Sequence, residues 1–220
     1  MRLAVLVSGR GSNLGAVLDA VADGRLPGIV PVLVLSNRPG VRALEVAARH
    51  GVAAKVLPRA EFPDLDARDA AIAVALANSG ADLALLAGYD QLLRPSYFAR
   101  FGGRTINIHP SLLPRHGGVG MMGVAVHRAV LGAGDAETGV TIHEVTQELD
   151  AGRPLAQARV PVLAGDSVET LAARVLAVEH ELLVRVLARL AGEGELSEAS
   201  ASMAAALPPA TGARATHERR

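Results

Sequence analysis

The segment LAVLVSGRGSN at residues 3–13 joins a short apolar run to a glycine-rich turn. The run at 3–7 has the length and the continuous Leu and Val content of a strand that is buried on both faces. Gly9 and Gly11 allow a tight turn and a close approach of the backbone to a ligand, and a helical pattern follows over 13–22. A strand, a glycine turn and a helix in this order are typical of α/β proteins with a parallel sheet.

The same alternation continues along the chain and predicts the rest of the sheet. Further strands are predicted at 30–35, 53–57, 83–87 and 105–108, and further helices at 41–50 and 66–78. Two later strands, near 139–145 and 154–160, are separated by too few residues for a helical crossover, so they should pair antiparallel. A long helix is predicted over 167–190. We therefore expect a single-domain Rossmann-like α/β fold, with a mostly parallel sheet flanked by helices and an antiparallel strand pair toward the C-terminal part.

The composition excludes several classes of protein. Lys and Arg together number 22, as do Asp and Glu, and no long basic run appears, which argues against nucleic acid as the main partner. The chain has no cysteine, so disulfides and thiolate chemistry are excluded. No apolar run is long enough to span a membrane and no signal-peptide pattern precedes the first strand, so we expect a cytoplasmic protein. Residues 1–192 should form the domain, and 193–220 a flexible tail of low complexity.

The segment NIHPSLLP at 107–114 indicates the chemistry. Asn107 and His109 alternate on a predicted strand, so their side chains point to the same side. Pro110 removes a backbone donor, and the strand therefore ends where the histidine is presented. An amide can donate a hydrogen bond to a developing oxyanion, and an imidazole can exchange a proton near neutral pH. The segment therefore predicts a site where a nucleophile attacks a carbonyl group.

The glycine-rich turn predicts a phosphate-binding loop. The backbone N–H groups of Gly11, Ser12 and Asn13 stand at the start of the first helix, where the helix dipole favours an anion. The dinucleotide fingerprint is only half met, because Leu14 stands where its third glycine should be. A turn that needs glycine only for its tight geometry is the alternative interpretation.

Six segments occur in order over about residues 2–190. They are VLVSGRGSNL at 5–14, LSNRPG at 35–40, LLAGYDQLL at 85–93, INIHPSLLP at 106–114, TGVTIHEVTQELDAGRPLAQ at 138–157 and ARVLAVEH at 173–180. Taken together, they resemble the phosphoribosylglycinamide formyltransferase family, the folate-dependent enzymes of purine synthesis, and only the tail lies outside the resemblance.

The resemblance implies an activity and its substrates. The formyl group of 10-formyltetrahydrofolate, as co-substrate, would pass to the amino group of 5'-phosphoribosylglycinamide in de novo purine biosynthesis. The amine would attack directly, through a tetrahedral intermediate, without a metal. The partners would be small molecules, and the chain would be a monomer or a weak homodimer.

The resemblance also assigns roles to residues. Asn107, His109 and Asp150 would take the three catalytic places, with Thr141 and His143 as polar positions beside them. The ribotide substrate would be bound through its phosphate by Gly11, Ser12 and Asn13 and through its ribose hydroxyls by Glu179. The folate pterin would lie against a further set of residues, mostly through their backbone groups. This set is Gly88, Tyr89, Asp90, Gln91, Leu92, Leu93 and Leu149.

The chain departs from the family pattern in two places. Asp90 and Gln91 stand where the family often has Met-Arg, so a side-chain contact to folate would be lost there, whereas a backbone contact would not. The segment 115–126, RHGGVGMMGVAV, is a few residues longer than the common family form. Its four glycines and its place directly after the catalytic motif predict a mobile flap over the amine-binding side.

Considered alone, several of these residues have plainer interpretations. Asp150 precedes Ala-Gly and suits a turn, and His143 suits a hydrogen-bonded structural histidine. A metal site built on His109 and His143 lacks a third ligand at a suitable spacing. His127 and Arg128 begin a helical stretch and are predicted on a solvated face. Glu179, near the end of the long helix, would be interpreted as a surface residue if the resemblance were not considered.

Other functions remain as alternatives. A formyltetrahydrofolate hydrolase would keep Asn107, His109 and Asp150 but would carry an added N-terminal regulatory domain. Formyl transfer to methionyl-tRNA would need a further C-terminal domain. A non-catalytic phosphate- or nucleotide-binding Rossmann-like module would use the glycine turn and would leave the combination of Asn107, His109 and Asp150 unexplained.

Overall fold

A computed structural model describes residues 1–192, which form one seven-stranded sheet with helices on both faces. The strands are β1 (Arg2–Val7), β2 (Val30–Ser36), β3 (Ala54–Val56), β4 (Leu83–Leu86), β5 (Arg104–His109), β6 (Glu137–Glu144) and β7 (Pro154–Pro161). The helices are α1 (Ser12–Ala22), α2 (Arg42–Arg49), α3 (Leu65–Asn78), α4 (Pro95–Phe98), α5 (Val124–Gly132) and α6 (Val168–Gly192), with a short 3-10 turn at Arg59–Glu61.

The strand order is β3-β2-β1-β4-β5-β6-β7. The first five strands are parallel, and β5 pairs antiparallel with β6, as β6 does with β7. This confirms the predicted fold class and the antiparallel pair. The antiparallel pairing of β5 with β6 was not predicted, because the 27 residues between these two strands leave room for a helical crossover.

The sheet is covered on both faces because its parallel strands are apolar at successive positions. On β1, Leu3, Val5 and Val7 face a core formed with α1 and α6, while Ala4 and Leu6 face a second core formed with α3 and α4. All five side chains are at most 1% exposed. Burying a side chain of leucine size contributes roughly 2 kcal/mol, so these alternating layers hold the sheet between the helices.

The carboxyl ends of the parallel strands meet at one edge of the sheet, where α/β proteins bind ligands. The crevice opens between β1 and β4, because the chain leaves β1 toward β2 on one side and continues through β4 on the other. The backbone N–H of Asp90, after β4, donates to Oγ of Ser8, after β1, across 2.9 Å. The glycine turn and the end of β5 therefore lie along the same edge.

Several expectations fall at the limits of the described residues. The long helix extends to Gly192, and the predicted tail at 193–220 lies outside the described part of the chain. The division into a domain and a tail therefore stays a prediction. None of the helices within residues 1–192 is long and apolar enough to cross a membrane.

Candidate active site

Four polar side chains converge where β5 lies beside β6. Asn107 and His109 point to one face of β5, as their alternation predicts. In the antiparallel register, Asn107 stands opposite His143, and His109 stands opposite Thr141. Directly opposed residues on one face of a sheet lie about 5 Å apart at Cβ, so this register brings the four side chains into one cluster.

The tautomer of His143 fixes the orientation of the Asn107 amide. Nδ1 of His143 lies 2.9 Å from the backbone carbonyl of Glu144, which can only accept, so Nδ1 carries the hydrogen. Burial lowers the pKa of His143, although the Glu144 carbonyl and the Asp150 charge partly oppose this. The neutral ring therefore presents a lone pair at Nε2, which accepts a hydrogen bond from Nδ2 of Asn107 across 3.1 Å.

Asp150 lies between the two imidazoles. Its Oδ2 is 3.8 Å from Nδ1 of His109, and its Oδ1 is 3.7 Å from Nε2 of His143. The carboxylate also accepts a hydrogen bond from the backbone N–H of Gly118 across 2.8 Å. Asp150 has a φ of 53°, in the left-handed region that turns use. It is thus a turn residue that also lies beside the two imidazoles, and its catalytic role stays a prediction.

His109 is bound through its other nitrogen. Nε2 of His109 lies 2.9 Å from the backbone carbonyl of His116, so Nε2 carries a hydrogen. The nitrogen left to exchange a proton is Nδ1, which faces Asp150. The His109 side chain is only 6% exposed. Burial of an imidazole and a carboxylate this close together strengthens their electrostatic interaction, because water screens it less.

Thr141 anchors the segment that follows β5. Its hydroxyl donates to the carbonyl of Ser111 across 2.7 Å and accepts from the backbone N–H of Leu113 across 3.0 Å. Gln157 donates to the same hydroxyl across 2.9 Å. Thr141 therefore supports the site through the chain after His109. Ser111 and Gln157 were not singled out in the sequence, because a hydroxyl and an amide in a loop and on a strand give no distinctive pattern.

The prediction of a solvated face is correct for Arg128, which is exposed, but wrong for His127. The helix α5 begins at Val124, and His127 is buried with Val126 and Val130 along it. Burial lowers the pKa of His127, and the nearby His109 lowers it further. The glycines before Val124 obscure the start of the helix in the sequence, so the direction of the side chain at 127 could not be read.

Residues 1–187 match the sequence profile of the formyl transferase family. The chain belongs to the formyl transferase family. The resemblance read from the sequence is thereby confirmed.

Several formyl transferases with assigned names are similar to the chain. It is 38% identical over 187 residues to the phosphoribosylglycinamide formyltransferase of Escherichia coli, covering 85% of each protein. It is 42% identical over 193 residues to the chloroplastic phosphoribosylglycinamide formyltransferase of Arabidopsis thaliana, and covers 66% of that protein. It spans only 14% of the trifunctional purine biosynthetic protein adenosine-3 of Drosophila pseudoobscura pseudoobscura, with 40% identity.

A solved structure agrees with these relatives. The glycinamide ribonucleotide transformylase 1 of Symbiobacterium toebii superposes with a TM-score of 0.83 at 41% sequence identity, and the match covers 92% of both chains. The arrangement of the sheet is therefore that of a formyl transferase.

The glycine turn before α1 is packed tightly against α2. Gly11 precedes α1 with a φ of 74°, and an added Cβ would lie 2.8 Å from Cα of Ala43. Only glycine fits this conformation and this close packing against α2. The N-terminus of α1, at Ser12 and Asn13, consequently opens at the ligand-binding edge of the sheet.

Glu179 lies beside this turn and is buried. It projects from α6, is 8% exposed, and accepts from Nδ2 of Asn13 across 3.5 Å. Burial raises the pKa of Glu179 to about 7, and the Asn13 amide only partly offsets that rise. The interpretation of this residue as a surface acid is therefore wrong. The structure brings Asn13 and Glu179 together although 166 positions separate them.

The seven residues expected at the folate pterin divide into three groups, of which Asp90 and Gln91 are the last. Gly88, Leu92 and Leu149 are exposed at the edge of the sheet. Tyr89 and Leu93 point into the core formed with α3 and α4. Contacts from these two residues to a bound folate would have to use their backbone groups.

Asp90 and Gln91, which depart from the family pattern, form an internal network. Burial would raise the pKa of Asp90, but hydrogen bonds from Asn37 and Gln91 outweigh it and lower that pKa. Arg38 forms an ion pair with the same carboxylate. Gln91 accepts from the buried Arg68 across 3.2 Å. The backbone N–H of Asp90 is occupied by Ser8. Both side chains therefore stabilise the loop itself.

No metal site is evident within the part of the chain that the structure describes. No three His, Asp or Glu side chains among residues 1–192 are grouped so that they could hold a metal ion.

Proposed function

We propose that this chain transfers the formyl group of 10-formyltetrahydrofolate to the amino group of 5'-phosphoribosylglycinamide, in de novo purine biosynthesis. The cluster of Asn107, His109, His143 and Asp150 at the ligand-binding edge of the sheet carries the proposal. It supplies a fixed oxyanion donor and a group that can move protons. The family membership and the names of the similar proteins support the same reaction.

Asn107 stabilises the oxyanion. When the substrate amine attacks the formyl carbon, a C–N bond forms, the carbonyl electrons move to oxygen and the nitrogen becomes cationic. The Asn107 amide has two N–H bonds, and His143 holds one of them. The other N–H is thereby oriented toward the reacting group. A donor that is preorganised in this way typically lowers the barrier by about 3 kcal/mol.

His109 and Asp150 manage the protons. The cationic amine loses one proton, and the departing folate nitrogen gains one as its bond to carbon breaks. Nδ1 of His109 can carry this proton, because Nε2 is held by the carbonyl of His116. Asp150, 3.8 Å from Nδ1, stabilises the imidazolium through its negative charge. The separation exceeds a hydrogen bond, so a relay between the two side chains passes through substrate or water.

The substrates bind along the same edge of the sheet. Gly11, Ser12 and Asn13 hold the ribotide phosphate, and Glu179 accepts hydrogen bonds from the ribose hydroxyls. The pterin lies between the loop at 88–93 and Leu149. A crystal soaked with the ribotide should show its phosphate at the N-terminus of α1, and density elsewhere would exclude this assignment. The expectations of a monomer or weak homodimer, a cytoplasmic location and no nucleic-acid partner stay predictions.

Measuring the absorbance of released tetrahydrofolate distinguishes the functions. The chain is mixed with 10-formyltetrahydrofolate, with and without 5'-phosphoribosylglycinamide. Formyl transfer predicts release only when the ribotide is present. Release without the ribotide would indicate a hydrolase, and no release in either mixture would indicate a binding module. The variant Asn107→Ala, which keeps the phosphate loop intact, controls for contaminating activity.

A further inference from the structure

The segment after the catalytic motif touches both members of the acid–imidazole pair through its backbone. The carbonyl of His116 accepts from Nε2 of His109 across 2.9 Å, and the N–H of Gly118 donates to Oδ2 of Asp150 across 2.8 Å. Between them, Gly117 is packed so closely that an added Cβ would lie 2.5 Å from Leu113 and 3.4 Å from Asp150. The conformation of 116–118 therefore sets how His109 and Asp150 face each other.

This conformation is unfavourable for the residue that provides the carbonyl. His116 has a φ of 52°, in the left-handed region that a residue with a Cβ enters only with support. No glycine stands there to accept the conformation without cost. Contacts of the His116 side chain must therefore stabilise this backbone conformation.

Asp135 holds the side chain of His116 from outside the cluster. Nε2 of His116 donates to Oδ2 of Asp135 across 2.6 Å, and Arg115 pairs with the other carboxylate oxygen. The side chains of His116 and Asp135 are 15% and 9% exposed, so water screens the pair little. Asp135 lies between α5 and β6, and it ties that connection to the segment that follows β5.

We propose that Asp135, acting through His116, is a positioning residue that holds His109 with Nε2 protonated and Nδ1 turned toward Asp150. The inference rests on the proposed function for its kinetic consequence only. While His116 is paired with Asp135, the His116 carbonyl stays at Nε2 of His109, and the proton that His109 exchanges is confined to Nδ1. Without the His116–Asp135 pair, the segment 116–118 relaxes, and the neutral ring of His109 can carry its hydrogen on either nitrogen.

The variants Asp135→Ala and His116→Ala test this. Each removes one side of the His116–Asp135 pair and leaves a Cβ at 116, and in His116→Ala the Asp135 carboxylate still pairs with Arg115, so that variant should fold even if Asp135→Ala does not. We expect kcat to fall on the order of tenfold to a hundredfold, the usual effect of a small misplacement of a catalytic group, with KM for both substrates changed less than threefold. Asp135→Asn, which keeps an acceptor for His116, should recover part of kcat. Glu137→Gln, an exposed acid on β6 that pairs with Arg159, is the matched control and should leave kcat unchanged.

The decisive readout does not need turnover. In protein with ¹⁵N-labelled histidine, the nitrogen shifts of His109 report which ring nitrogen carries hydrogen. We expect one tautomer, with hydrogen on Nε2, in the wild type and in Glu137→Gln, and a mixture in Asp135→Ala and His116→Ala. A single unchanged tautomer in those two variants would overturn the proposal, whether or not kcat falls. Absence of formyl transfer by the wild type would contradict the proposed function and would leave the tautomer comparison to decide this inference.

Discussion

Asn107 donates one hydrogen of its amide to Nε2 of His143 across 3.1 Å, and this bond exists only while the His143 ring is neutral. The Glu144 carbonyl occupies Nδ1, so a second proton on the ring could go only to Nε2. It would displace the bond from Asn107. His143 on β6 thus controls the orientation of the Asn107 amide on β5, and burial, which lowers the pKa of His143, keeps the ring in the accepting form.

Replacing His143 should therefore impair the chemical step more than binding. In His143→Leu, the Asn107 amide loses its acceptor and can rotate, so we expect kcat to fall by about tenfold to a hundredfold, with KM little changed. His143→Gln keeps an oxygen acceptor and should retain more activity. Steady-state kinetics at pH 7.5 would measure both. Equal activity of the Leu variant and the wild type would show that Asn107 needs no such partner.

Asp150→Asn tests the charge of the carboxylate separately from its place in the turn. Asparagine tolerates a positive φ, and its carbonyl oxygen can still accept from the N–H of Gly118. The loop should therefore keep its shape, while His109 loses the charge that stabilises its imidazolium. We expect kcat to fall by roughly two orders of magnitude or more, with folate affinity little changed. Near wild-type turnover would reduce Asp150 to a turn residue.

The sheet could be predicted from the sequence because its signal is local. Continuous apolar runs such as 3–7 and 83–87, separated by helical periods, identify the parallel strands wherever they lie in space. Asn107 and His109 could be placed on one side by alternation alone. The link of Asp150 to the cluster came only from the resemblance, because a residue 41 positions after His109 has no local relation to it.

The contacts that orient the site could not be read in this way. The roles of His116 and Asp135 depend on a left-handed backbone conformation and on an ion pair between two loops, and neither leaves a periodic pattern. The segment 115–126 is not loop throughout, because its last residues form the start of α5. His116 and Gly118, near its beginning, bond to His109 and Asp150, and its role as a mobile flap stays a prediction.

The buried ion pair of Arg68 with Asp69 should contribute strongly to stability. The two side chains are 1% and 0% exposed, and Nε of Arg68 donates to Asp69 across 2.8 Å. Removing one partner leaves the other as a buried charge without its ion pair. Arg68→Met should therefore lower the free energy of unfolding by about 3 kcal/mol or more. Urea denaturation would measure it. Arg25→Met, which breaks an exposed pair with Asp23, is the control and should change nothing measurable.

A loss of stability in Arg68→Met no larger than in the Arg25 control would mean that Asp69 is not left as a buried, unpaired charge. The same variant should also loosen the loop at 88–93, because Arg68 donates to Gln91 across 3.2 Å. We therefore expect KM for 10-formyltetrahydrofolate to rise in Arg68→Met and to stay unchanged in Arg25→Met.

Glu179 should make stability depend on pH across the neutral range. Its pKa is raised from 4.5 to about 7 by burial, so the folded chain binds a proton that the unfolded chain has released. The stability associated with this group is fully present below about pH 4.5 and is lost as the pH rises through about 7. One pKa unit corresponds to about 1.4 kcal/mol, so the loss should amount to a few kcal/mol.

The variant Glu179→Gln isolates that effect, because glutamine resembles the protonated acid and does not titrate. Its free energy of unfolding should exceed that of the wild type at pH 8, and the two values should converge near pH 4; thermal unfolding across this range would follow both. Glu181→Gln, exposed on the same helix, is the control and should track the wild type.

If Glu179 accepts hydrogen bonds from the ribose hydroxyls, the more stable variant should also have the higher KM for the ribotide, since the amide accepts them more weakly than the carboxylate does. Parallel stability curves for Glu179→Gln and the wild type would show that the carboxyl group is solvated in the folded chain.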